Sequence, residues 1–99
     1  NKRKVLNTTR VFEGSVNSSL IDMRKIAEVV FLNKASSLIL AHNHPGGNPS
    51  PSMTDLESTR KIINLFAPVG IMVYDHIIVS GTHYFSFSQQ KLLTEKREK

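Results

Sequence analysis

Between Leu38 and Asp55 the chain runs from an apolar segment through a rigid loop into a helix start, with metal-binding residue types at both junctions. Leu38-Ile39-Leu40-Ala41 is a short apolar run, the pattern of a buried strand. His42 and His44 follow at its end. Side chains on a strand alternate with period two, so the two imidazoles point to one side and Asn43 to the other. Pro45-Gly46-Gly47-Asn48-Pro49-Ser50-Pro51 is a loop of turn residues that excludes helix. Ser52 then reads as an N-cap, which places Asp55 at N3 in the first helical turn. Strand, loop and helix therefore bring two histidines and a carboxylate together. Three protein ligands leave a fourth tetrahedral position open, which marks a catalytic zinc site and not a structural one.

Composition restricts the chemistry further. The chain has 99 residues and no cysteine, so disulfides and thiolate ligands are excluded and any metal must be held by nitrogen and oxygen. The length suits one small domain. A hydrophobic content of 39% and a charged content of 21% are those of an ordinary globular protein. No apolar run reaches membrane-spanning length and no signal-peptide core follows Asn1, which together fit a cytoplasmic protein with no membrane partner.

The net charge of +5 suggests nucleic acid, but its distribution argues against a strong claim. Lys2, Arg3 and Lys4 supply most of it, and a basic tail over residues 88–99 supplies the rest. Residues 5–90 hold six basic and six acidic residues and are neutral. Any nucleic-acid binding is expected to be weak and to depend on the chain ends.

Around the motif, Val5–Phe12 reads as a strand and Gly14–Ser19 as a turn-rich connection. Asp22 caps a helix from Met23 to about Leu32, with Ile26, Val29, Val30 and Phe31 as candidates for its apolar face. Ala35–Ala41 is the central strand. A second helix from Thr54 to about Phe66 offers Leu56, Ile62, Ile63 and Phe66 to the core, and Pro68-Val69-Gly70 ends it. Ile71–Tyr74 and His76–Ser80 read as strand with a bend at Asp75, and Tyr84–Phe87 pairs back across Gly81-Thr82. Gln89–Lys99 is a weak helix or a tail. Alternating strands and helices make an α/β domain. His76 and His83 are assigned ordinary structural roles, His76 by a hydrogen bond to Asp75.

The spelling His42-x-His44-Pro45, then Ser52 and Asp55, resembles the JAMM (MPN+) zinc metalloprotease motif. The flanking words Phe12-Glu13-Gly14, Ala41-His42-Asn43-His44-Pro45, Asn48-Pro49-Ser50-Pro51-Ser52 and Asp75-His76-Ile77-Ile78-Val79 resemble the bacterial RadC family. The likeness runs from about Val5 to about Ser86. Gly46 stands where that family usually has Ser, with no consequence for the metal.

The resemblance implies a single cytidine-deaminase-like (JAB/MPN) domain with a mixed sheet in a three-layer α/β/α arrangement. It implies Zn2+ on His42, His44 and Asp55, and Ser52 as the donor that stabilises an oxyanion. The bland alternative for Ser52 is the N-cap alone. The implied activity is hydrolysis of a protein or peptide amide, by a peptidase or isopeptidase. The family also carries a DNA-repair label, which no residue of this chain supports. The rival reading is a non-catalytic protein- or DNA-binding module of the same fold. A deaminase is disfavoured, because its zinc is normally held by cysteines.

In JAMM enzymes the general base is a glutamate on a strand preceding the His-x-His. The RadC-like version, a Glu-x-Phe segment, would fall before Asn1. The chain opens without Met on the basic turn Asn1-Lys2-Arg3-Lys4, so the expectation is an N-terminally truncated piece that lacks its base. Glu13 is the less favoured candidate within the chain. Oligomeric state has no signature in the sequence.

Overall fold

The computed structural model describes Thr8 and residues 23–93. The expected strand over residues 5–12, the connection over 14–19, the Asp22 cap and Glu13 lie outside the described residues, as do the ends of the charged tails. Helix α1 spans Met23–Leu32, strand β1 Ser37–Asn43, helix α2 Met53–Phe66, strand β2 Met72–Ser80 and strand β3 His83–Ser86. A short 3-10 helix, Ala67–Val69, ends α2 at Pro68, and Gly70 follows at φ 77°, a left-handed conformation that glycine adopts without Cβ strain.

The three strands form one sheet in the order β1-β2-β3. β1 and β2 are parallel, joined by α2 as a crossover, and β2 and β3 are an antiparallel hairpin. The sheet is therefore mixed and the domain α/β. Ile26 and Val30 of α1, Ile62 and Phe66 of α2 and Val73 of β2 form the core, with Leu38 and Leu40 of β1 packed against it. The other sheet face carries Ile39 and Val79, which are 56% and 40% exposed. Among the described residues the core thus forms on one face of the sheet. No described helix is long and apolar enough to cross a membrane.

Several elements differ from the reading of the sequence. β1 lies two residues further along than Ala35–Ala41, so His42 is part of the strand. β2 is one continuous strand, and its irregularity is a register shift: Leu38 faces Val73 and Ile39 faces Asp75, so Tyr74 is the extra residue. Such a bulge reverses the parity of everything after it. Val73, His76, Ile78 and Ser80 are consequently all buried. In α2 the buried stripe is Asp55, Thr59, Ile62 and Phe66, at spacings of four, three and four. Leu56 sits outside that stripe and is 36% exposed. In α1, Phe31 is exposed while Ile26 and Val30 are buried. Residues 88–91 form turns, not a helix, and the Leu92 amide closes onto the Phe87 carbonyl.

Candidate metal centre

The site lies where the C-terminal end of β1 meets the N-terminal end of α2, the place at which open α/β sheets commonly bind ligands. β1 aims His42 by strand alternation: Leu38, Leu40 and His42 are half-buried while Ile39, Ala41 and Asn43 are exposed. Just past the strand, the His44 amide donates to the Val79 carbonyl at 2.8 Å. The Ser80 hydroxyl donates to the His44 carbonyl. These two bonds extend the strand geometry by one residue. The His42 and His44 rings accordingly share a side, with centroids 4.7 Å apart.

Asp55 comes from the other junction. Ser52 is the N-cap of α2 and Asp55 is N3, and the two close a capping box. The Asp55 amide donates to Ser52 Oγ at 3.0 Å. The Ser52 amide donates to Asp55 Oδ2 at 2.8 Å, which fixes the rotation of the carboxylate. Its oxygens then face the histidines: Oδ1 is 3.5 Å from His42 Nε2 and Oδ2 is 3.1 Å from His44 Nε2.

These donors fit a metal ion. One ligand atom from each of His42, His44 and Asp55 lies within 4.8 Å of the others. Zinc–ligand bonds of ~2.0–2.2 Å place adjacent corners of a tetrahedron roughly 3.3–3.6 Å apart; the separations of 3.5 Å and 3.1 Å, each to a different oxygen of the Asp55 carboxylate, lie near that spacing. The set is all nitrogen and oxygen and suits zinc and other borderline divalent ions.

The electrostatics favour the ligating forms of His42 and Asp55. Burial holds the His42 imidazole below its ordinary pKa; Asp55 opposes this and His44 adds to it. Burial pushes the Asp55 carboxyl upward, but the Ser52 hydrogen bonds and the two histidines outweigh it and leave the group below its ordinary value. A neutral imidazole and an ionised carboxylate are the states that bind a metal.

One participant was not expected. His76 is 2% exposed, and its ring joins the site. The sequence suggested a bond to Asp75, but it is the His76 main-chain amide that donates to Asp75 Oδ1 at 2.7 Å. The imidazole meets His42 Nδ1 through Nε2 at 3.0 Å and Thr59 Oγ1 through Nδ1 at 2.7 Å. Its ring stacks on Phe87, with centroids 4.5 Å apart and planes 14° apart. Burial pushes its pKa down to about 4, with His42 adding to the effect, so it is neutral at pH 7. Strict alternation along β2 would have put His76 on the face of Met72 and Tyr74, and the Tyr74 bulge hides its true direction from the sequence. His83, by contrast, pairs with Ser80 in the hairpin, as an ordinary structural residue would.

The α/β domain gathers two histidines and a carboxylate, a candidate metal-binding group, at the end of a parallel strand. The RadC-like JAB domain family matches residues 1–92, and the chain belongs to this family. It is 39% identical over 93 residues to a UPF0758 protein of Symbiobacterium thermophilum, covering 94% of this chain and 40% of that one. UPF0758 proteins of Bacillus cereus and Bacillus anthracis are 39% identical over 90 residues, covering 91% of this chain and 40% of theirs. The chain thus spans about two fifths of the length of these curated relatives.

Proposed function

We propose that this domain is the metal-binding core of a JAMM-type zinc metallohydrolase that cleaves a protein or peptide amide, as a peptidase or isopeptidase. The observation that carries the reading is the convergence of His42 Nε2, His44 Nε2 and the Asp55 carboxylate; a tetrahedral ion held by three protein ligands keeps a fourth position for water or substrate. A bound zinc ion would supply Lewis acidity toward a carbonyl and lower the pKa of its water toward ~7.

The chain's own residues have distinct tasks in this scheme. His42, His44 and Asp55 hold the ion. Ser52 is exposed, and its oxygen accepts the Asp55 amide bond through a lone pair. Its hydroxyl proton stays free to be given to an oxyanion, so cap and donor are compatible roles. The metal group itself holds one carboxylate, and Asp55 is occupied as a ligand and a cap partner. In this reading the general base is a glutamate on a strand before the His-x-His, as the family resemblance implies, with Glu13 as the less favoured alternative within the chain. The same reading takes the exposed sheet face around Ile39 and Val79 as the seat of the third layer of a cytidine-deaminase-like fold.

The test is hydrolysis of peptide and isopeptide substrates by the longest natural form of the protein. Activity that is removed by a chelator, restored by zinc and absent in Asp55→Ala supports the reading. A zinc-loaded protein that binds peptides or DNA but cleaves none of them would favour the binding module.

A further inference from the structure

We propose that Thr59 and His76 are positioning residues that set the tautomer of His42, holding its proton on Nδ1 so that Nε2 presents a lone pair to the site. Four groups in line carry this inference. The Thr59 hydroxyl lies 2.8 Å from the Asp55 main-chain carbonyl and 2.7 Å from His76 Nδ1. His76 Nε2 lies 3.0 Å from His42 Nδ1. His42 Nε2 then faces the Asp55 carboxylate.

The direction of the protons along this line is determined at its carbonyl end. A carbonyl oxygen only accepts, and a threonine hydroxyl has one proton to give. If Thr59 gives it to the Asp55 carbonyl, its oxygen accepts from His76 Nδ1–H. His76 Nε2 then has only a lone pair, and it accepts from His42 Nδ1–H. Each contact from the Asp55 carbonyl to His42 Nδ1 then has one donor and one acceptor. In the reverse order Thr59 would donate to His76, and two oxygen acceptors would face each other at 2.8 Å with no proton between them.

Position is fixed as firmly as direction. Thr59 sits one helical turn after Asp55, where a threonine hydroxyl reaches the carbonyl four residues back. The His76 ring is clamped by its stack on Phe87 and by the Tyr74 bulge that turns it inward. The line starts and ends on Asp55, whose main-chain carbonyl orients the histidine that its side chain faces. The tautomer is a property of the chain itself; only its purpose rests on His42 being a metal ligand, as proposed above.

The test is long-range 1H–15N NMR of the imidazoles in metal-free protein at neutral pH, with zinc affinity measured in parallel. The expected wild-type result is His42 and His76 both protonated on Nδ1. Thr59→Val keeps the side-chain shape but removes the hydroxyl, and should shift His42 toward the Nε2–H form. Thr59→Ser should restore the wild-type pattern. His76→Phe should free His42 and weaken zinc about 10–100-fold, the usual cost of losing such support. Should that variant fail to fold, the Thr59 pair still decides the matter. His42 protonated on Nε2 in the wild type, or held on Nδ1 in both Thr59→Val and His76→Phe, would overturn the proposal. An Nδ1-protonated His42 in a protein with no zinc affinity would support it and count against the metal reading instead.

Discussion

Asp55 Oδ2 lies 3.1 Å from His44 Nε2, across the Pro45–Pro51 loop that separates strand from helix. The same oxygen accepts the Ser52 amide, so the bond that starts α2 also aims a ligand. Folding of the helix and assembly of the site are one event at this corner.

Ser52 should therefore have two separable effects. Ser52→Ala removes the cap and should cost about 1 kcal/mol of stability, measured by urea unfolding. If the proposed hydrolysis is observed, loss of Ser52 as an oxyanion donor should also lower kcat ~10²–10³-fold. Ser52→Thr should keep the cap and much of the activity. A stability loss with kcat unchanged would leave Ser52 as a cap alone.

His76 should make the fold acid-sensitive. Its folded pKa of about 4 lies below the ordinary histidine value of 6.5, so the unfolded state takes up a proton first as pH falls. The stabilisation is fully present above about pH 6.5 and is lost between there and pH 4, by up to about 3 kcal/mol. Asp55, also lowered, acts in the same direction at still more acid pH. In unfolding curves at pH 7 and pH 4.5, His76→Gln should lose less stability than wild type. Equal losses would show that another group carries the acid sensitivity.

Zinc affinity should fall less in mild acid than a free imidazole at the His42 position would allow. Burial lowers the His42 pKa, so protons compete for this ligand less than for a free imidazole. Titration calorimetry at pH 7.5 and 6.0 should show a modest loss. A collapse of affinity already at pH 7 would contradict the electrostatics of the site.

Nucleic-acid retention, if present at low salt, should belong to the chain ends. Deleting residues 1–4 and 91–99 removes the net positive charge and should abolish retention on DNA. Salt-sensitive retention by the trimmed domain would reveal a basic surface within residues 5–90.

The convergence of His42, His44 and Asp55 is legible in the sequence because its signals are local. Strand alternation aims His42 and His44, and an N-cap places Asp55 three residues on, so neither needs long-range knowledge. The mixed sheet, which the family resemblance implies, is formed by one crossover and one hairpin. His76 was illegible because a single bulge at Tyr74 reverses strand parity, and no residue type announces a bulge. Apolar character points to Leu56 and carries no signal for Thr59, yet Thr59 is buried with its hydroxyl doubly bonded. Hydrophobicity identifies the apolar lining of a core and misses buried polar groups that satisfy one another.

Elemental analysis of zinc-loaded, dialysed protein asks whether His42, His44 and Asp55 hold one ion between them. About one zinc per chain is expected in the wild type and almost none in a His42→Ala/His44→Ala double variant that remains folded. Equal zinc content in the two proteins, or none in either, would rule out a shared metal site.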